Sequence, residues 1–254
     1  MTDKLPPHHQ TLLTETDWAC LQTAFGTGES LPAALARLLD PDPAVRAHAV
    51  THALGQVIHQ NTIYEATTPV ALYIAGVLGD PALAMDDIGH DADEPTLVTL
   101  LKWLGDTAYD ADDECLALAE LPDSTGGPFV CVDMRAFREQ RPAIFAAVRP
   151  HLTHDDARVR DTALVTAIPL AEHPDLTAHR DELTGHAHRL LATNTDRYQR
   201  DRVLDALRAW GHDTSGLENA SDMEARERYA RLRAAREAWA GLAREGKFSE
   251  WPAF

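Results

Sequence analysis

Few residue pairs in this chain of 254 residues have ligand or catalytic spacing, and none completes a chemical set. His48 and His52 stand four apart in a stretch with helical periodicity, which puts two imidazoles on one face as a metal chelate needs. Thr51 and Ala53 flank His52, so the glutamate of a zinc-peptidase helix is missing, and no third ligand is evident. His151 with His154, and His186 with His188, are incomplete in the same way. Asp87, Asp91 and Asp93 invite a calcium reading but lack the D-x-D-x-D-G order and the closing glutamate of an EF-hand loop. Cys20, Cys115 and Cys131 are far apart with no CxxC, and read as reduced thiols. There is no GxSxG, no cysteine with a paired histidine signature and no Gly-rich phosphate loop. These residues predict no metal, no cofactor and no catalysis.

The charged residues point instead to binding. Forty acidic residues against 23 basic ones give a net charge of -17, which disfavours general nucleic-acid binding and fits a basic protein partner. Two acidic patches stand out, one formed by Asp86, Asp87, Asp91, Asp93 and Glu94, the other by Asp110, Asp112, Asp113 and Glu114. Carboxylates on the rim of an interface speed association with a cationic surface. In a bland reading they are solvated and cap the helices that follow. Tyr64, Tyr73, Trp103 and Tyr109 surround these patches; Tyr64, Trp103 and Tyr109 are the candidate aromatic anchors, packing between helices being the alternative.

The elements that must position these groups are helical. Hydrophobic content of 44% permits a sizeable core, and aromatics at 6% with few β-branched runs favour helix over sheet. The stretch 38–54, Leu-Leu-Asp-Pro-Asp-Pro-Ala-Val-Arg, reads as a helix end, a turn and a new helix, and it recurs 114 residues later at 152–168. Asp42 answers to Asp156 and Arg46 to Arg160. That offset is near three periods of about 38 residues, the range of helical solenoids. Asp42 with Arg46, and Asp156 with Arg160, are expected to link successive hairpins.

Along the chain, a helix is expected over 14–25, with Trp18, Leu21 and Phe25 on one side, and another over 31–39 capped by Ser30. Helix then follows over 43–58, within 62–79 where Pro69 falls early and Val70, Ile74, Val77 and Leu78 form a stripe, and over 96–107 with Leu97, Leu100, Leu101 and Leu104. The breaker-rich 121–130 reads as a flexible insertion. Helices resume over 134–151, 156–170, 179–192 and 200–210. A long charged helix over 221–245, with Tyr229, Leu232, Trp239 and Leu242 on one side, caps the stack or self-associates. The domain reading is a flexible arm 1–12, a helical repeat domain 13–217, and a capping helix with aromatic tail 218–254.

The turns Asp-Pro-Asp-Pro-Ala-Val-Arg and Asp-Asp-Ala-Arg-Val-Arg resemble those of the HEAT-repeat family, over 30–60 and 140–210 and more loosely between. The run Asn-Thr-Ile-Tyr-Glu-Ala-Thr-Thr-Pro from Asn61 resembles a segment of bacterial HEAT-like proteins, some taken to be immunity proteins of polymorphic-toxin loci. The resemblance implies an all-α, right-handed α-α superhelix of about five hairpins with capping helices. It implies a protein that binds and neutralises a cognate toxin, or a general regulatory or assembly scaffold. Other HEAT-like proteins are DNA glycosylases with Trp and Asp in a basic cleft; Trp103, Trp210 and Asp106 are available here, but the acidic charge opposes that use. No export signal or membrane-length apolar run is read, so the expectation is a cytoplasmic monomer or weak homodimer with a protein partner, away from nucleic acid and membrane.

Overall fold

Alanine- and leucine-rich segments close into helices almost everywhere, and the fold is all-α. The computed structural model describes residues 9–84, 94–120 and 127–244, the side chains of 84, 127–130 and 236–244 excepted. In order, the elements are α1 (His9–Glu15), β1 (Gln22–Thr23), β2 (Gly26–Thr27), α2 (Leu31–Ala36), α3 (Pro43–Val57), β3 (Ile58–His59), β4 (Thr62–Ile63) and α4 (Thr67–Val77). They continue with α5 (Thr96–Asp110), α6 (Asp113–Ala119), α7 (Gly127–Glu139), α8 (Arg141–Val148), α9 (Ala157–Leu170), α10 (Arg180–Thr193), α11 (Arg197–Ala209) and α12 (Ala220–Arg244). The chain forms two compact units, 1–187 and 188–254, with the division inside α10. Asp86, Asp87, Asp91 and Asp93, residues 1–8 of the expected arm and the tail 245–254 lie outside the described residues.

In unit 1–187, α2 packs on α3, α8 on α9, α4 against α8 and α5 against α9. The expected stripes are buried, with Val70, Ile74, Leu100, Leu101 and Leu104 all at 0% exposure. The α5–α9 approach is close at Gly105. A Cβ on Gly105 would stand 3.0 Å from Thr166 Oγ1 and 3.2 Å from Thr166 Cα, so a methyl there requires Thr166 to give by a few tenths of an ångström. Thr166 in turn donates its hydroxyl to the Leu101 carbonyl at 2.7 Å, a bond between the two helices.

The N-terminal segment departs from its helical pattern. Residues 14–25 split into the end of α1, a 3-10 turn at Trp18–Cys20 and the β1–β2 ribbon. The physical reason is that the backbone there is bonded elsewhere: Ala24 N donates to Gln56 O at 2.8 Å, and Gln22 O accepts from Ala66 N at 3.1 Å. Trp18 is therefore buried while Phe25 is 71% exposed. Ser30 makes no side-chain cap; its hydroxyl reaches Gln56 instead. A second ribbon, β3–β4, turns through Gln60 and Asn61 at φ 53° and 60°, the left-handed pair that a two-residue hairpin favours.

Two further expectations are corrected. The helix over 134–151 is three pieces, α7, α8 and a 3-10 turn at Arg149–Thr153, because Pro142 and Pro150 each open a new helical start where an N–H is not required. The expected insertion 121–130 already enters α7 at Gly127.

Unit 188–254 is built on α11 and α12. Asn219 Oδ1 accepts the Asp222 N–H at 3.0 Å and Asp222 Oδ2 accepts the Asn219 N–H at 2.8 Å, a reciprocal capping box that starts α12. The same carboxylate takes Arg200 Nε at 3.1 Å and Nη2 at 2.6 Å, with the two side chains 3% and 1% exposed. Arg200 Nη1 donates to the carbonyls of Leu191 at 2.6 Å and Asn194 at 3.0 Å, and Nη2 to Leu217 at 3.0 Å. Every guanidinium hydrogen is thereby used, which is what makes a buried arginine tolerable.

Candidate functional site

The second acidic patch sits where α5 ends and α6 begins, and its members do different jobs. Asp112 is the N-cap of α6, accepting the Cys115 N–H at 2.7 Å. Asp113 forms an ion pair with Arg138 of α7. Glu114 is exposed in the first turn of α6, while Asp110 is half-buried at the end of α5. Beneath the patch, Arg141 is fully buried and donates Nη2 to the carbonyls of Ala108 at 3.1 Å and Ala111 at 2.9 Å. Arg138 Nη1 adds a bond to Ala111 O at 2.7 Å. Two cations thus satisfy the last carbonyls of α5, where the helix dipole is negative.

Glu172 completes this corner, accepting Arg141 Nη1 at 3.0 Å and lying 3.7 Å from Arg138. Burial raises its carboxyl above the usual range despite Arg141, and the nearby Asp113 and Asp112 charges add to the rise. Burial, then the neighbouring Arg138, lowers the Arg141 guanidinium from its ordinary value. Cys115 is pushed up to about 11 by burial first and the Asp112 charge second, so its thiol stays protonated and unreactive at neutral pH.

The aromatic candidates are distributed rather than gathered. Trp103 is half-buried on α5, with its Nε1 buried and lacking a hydrogen-bond partner among the described residues. Tyr109 is half-buried one turn from the acidic corner. Tyr64 belongs to a different neighbourhood: its N–H caps onto Thr67 Oγ1 at 2.9 Å, and next to it Glu65 accepts the Gln22 N–H at 2.9 Å. There burial, then the Glu65 charge, raises Asp133 of α7 to about 6. Glu94 is half-buried and takes the Thr99 hydroxyl at 3.5 Å, while the N-cap position of α5 is Pro95, which makes no side-chain cap. Trp103 and Asp106 share α5, whereas Trp210 is the C-cap of α11 in the other unit.

The recurrent Asp–Arg turns are more numerous and more local than their spacing predicts. Asp42, Asp156 and a third aspartate, Asp196, each cap a helix, and the arginine four residues on folds back onto its own turn. Arg46 Nη1 donates to Asp40 O at 2.5 Å, Arg160 Nη1 to His154 O at 2.7 Å, and Arg200 Nη1 to Asn194 O at 3.0 Å. In each case the acceptor lies two residues before the cap. These bonds close each turn on itself. The first residues of α8 and α10 make longer ties: Arg141 closes the end of α5, and Arg180 Nη2 donates to Ala171 O at 3.2 Å at the end of α9.

His48 and His52 do stack on one face of α3, with ring centroids 6.0 Å apart, and His52 Nε2 lies 2.9 Å from Gln56 Nε2. They border an open groove of about 540 Å³ beside the exposed Phe25. Among the described residues no group of three or more His, Cys, Asp or Glu side chains is placed to hold a metal. No described helix is long and apolar enough to cross a membrane.

Sequence reasoning missed Arg138, Arg141 and Glu172, which carry no periodic signal. It also missed the third turn, although Asp196-Arg-Tyr-Gln-Arg200 repeats the D-x-x-x-R spacing 40 residues after Asp156. The division of charge escaped it too: 1–187 holds 29 acidic and 11 basic residues, and 188–254 holds 11 and 12. No protein-family model, curated protein or solved structure matches the chain.

Proposed function

We propose that this is a non-catalytic, HEAT-like protein-binding protein, most concretely an immunity protein that occludes a basic bacterial toxin from inside the cytoplasm. The observation that carries the reading is the concentration of charge, 29 acidic against 11 basic residues in 1–187. A surface of that sign steers a cationic partner into encounter and repels nucleic acid. The thrice-used Asp–Arg turn supports the HEAT-like part, since a repeated hairpin with a fixed entry angle is the unit such scaffolds stack.

The acidic corner supplies the contact, and its roles choose the test. Asp112 and Asp113 hold α6 in place, so reversing them would unfold the corner. Glu114 and Glu139 are exposed and border the Asp113–Arg138 pair in sequence, so reversing them changes the surface alone. The experiment is a pull-down with tagged full-length chain from lysate and secreted fraction of its source, at low and moderate salt. One stoichiometric basic protein, lost with Glu114→Lys/Glu139→Lys, is the expected result. Several unrelated proteins in substoichiometric amounts would replace the inhibitor with a general scaffold. A single partner indifferent to the reversals and to salt would overturn the acidic contact.

A further inference from the structure

Four of the large apolar side chains exposed by the described chain lie on the two helices of unit 188–254: Tyr198 at 44%, Met223 at 43%, Tyr229 at 55% and Leu232 at 38%. Between α11 and α12 runs an open groove of about 870 Å³, into which Tyr198 and Leu204 project from one side and Tyr229 and Leu232 from the other. Of the described α12 side chains only Asp222 and Ala225 are buried, and residues 226–235 are exposed without exception. Ala225, Tyr229 and Leu232 follow one another at four and three residues, the seam spacing of a helix that packs on another helix. Over the described residues, a helix carrying such an exposed seam is a surface suited to packing on another.

The charges around the groove say what covers it. Its lining holds four arginines and four carboxylates, and several neutralise one another within the groove. Glu218, 4% exposed, takes both Arg208 at 2.5 Å and Arg226 at 3.2 Å, and Asp222 is spent on Arg200. A balanced groove offers no excess of cation for nucleic acid and no excess of either sign for a strongly charged protein. It matches a surface that is itself apolar with both signs interspersed, as this one is. The charge of the whole chain narrows the choice again. Two copies at -17 repel each other over most of their surface, and the part with 11 acidic and 12 basic residues is where they approach without that cost.

We propose that the α11–α12 groove is a self-association surface, in which α12 of a second copy lies so that the two pairs of helices form a two-fold, four-helix interface. Such a contact is isologous: Tyr229 and Leu232 of each copy enter the groove of the other, and Arg233 of each can meet Asp201 or Asp205 opposite. Asp201 is already held above the usual carboxylate range by burial, Arg197 only partly offsetting it, so an added guanidinium relieves a standing cost.

Sedimentation velocity and light scattering on the full chain, in reductant, over a range of concentration and salt, test this. The expected result is a reversible dimer whose Kd rises by about tenfold or more with Leu232→Glu or Tyr229→Glu. Association tightens as salt rises, because salt screens the long-range repulsion between acidic chains. Both residues are exposed in the single chain, so circular dichroism, and the melting temperature at a concentration where the wild type is monomeric, stay unchanged and loss of the dimer is not loss of fold. Glu114→Lys/Glu139→Lys leaves the dimer intact, which separates this surface from the acidic contact proposed above. A monomer under every condition, a dimer that both groove variants leave unchanged, or a dimer that loosens as salt rises would overturn the proposal.

Discussion

The Asp222 carboxylate does two structural jobs. Asp222 caps α12 through Asn219 and receives the buried Arg200, so it is held by backbone and by charge at once. Burial pushes its carboxyl up, but the Arg200 and Asn219 hydrogen bonds outweigh that and leave it below the ordinary value of 3.8. A depressed folded value means that the stability it supplies is fully present above the unfolded value and is lost as pH falls through the folded one. Asp222→Ala strands a buried guanidinium and is expected to cost about 3–5 kcal/mol at neutral pH. Urea melts of wild type and variant should show that gap narrowing only below about pH 4. Asp222 was not legible in advance. Nothing in the spacing of an Asn-x-x-Asp box tells which arginine will find it, because Arg200 arrives from another helix.

The α5–α9 contact rests on the absence of a side chain. Gly105 lets Thr166 approach α5 so that its hydroxyl reaches the Leu101 carbonyl. Gly105→Ala would improve intrinsic helix propensity by about 1 kcal/mol, yet it drives a methyl against Thr166 backbone and is expected to destabilise on balance by about 1–3 kcal/mol. Thermal denaturation decides the sign, and a rise in melting temperature would mean that α9 can step away. Helices with strong periodicity, such as α5 with its leucines, were readable because their 3.6-residue spacing runs over about four turns with no competing backbone partner. The segment around Trp18 and Phe25 carries the same spacing and is not a helix, since its backbone donors are claimed by Gln56 and its acceptors by Ala66. Local pattern cannot see a partner 40 residues away.

Charge is a property of the whole molecule, and here it divides along the chain. With 29 acidic and 11 basic residues, 1–187 repels itself in the folded state, and the unfolded chain relieves that by expanding. Raising salt from about 0.01 M to 0.15 M shortens the screening length from about 30 Å to about 8 Å and should stabilise the fold. A gain of about 1 kcal/mol would lift the melting temperature by about 2–4 °C in scanning calorimetry. An insensitive or falling melting temperature would mean that the ion pairs around Arg138, Arg141 and Glu172 lose more to salt than the repulsion does. The net charge was plain from composition alone, whereas its confinement to one unit needed the division at 187. The acidic corner was only half legible: its carboxylates could be seen, but Arg138, which fixes Asp113, and Arg141 with Glu172 could not.

The arginine turns have a consequence for descent as well. Each aspartate and arginine closes a turn on that turn's own carbonyls, and one further arginine at a helix start fastens the helix end before it. A hairpin specified this way takes its instructions with it when its stretch of gene is copied. Duplication or loss of a hairpin then lengthens or shortens the protein by one unit while leaving the other turns intact.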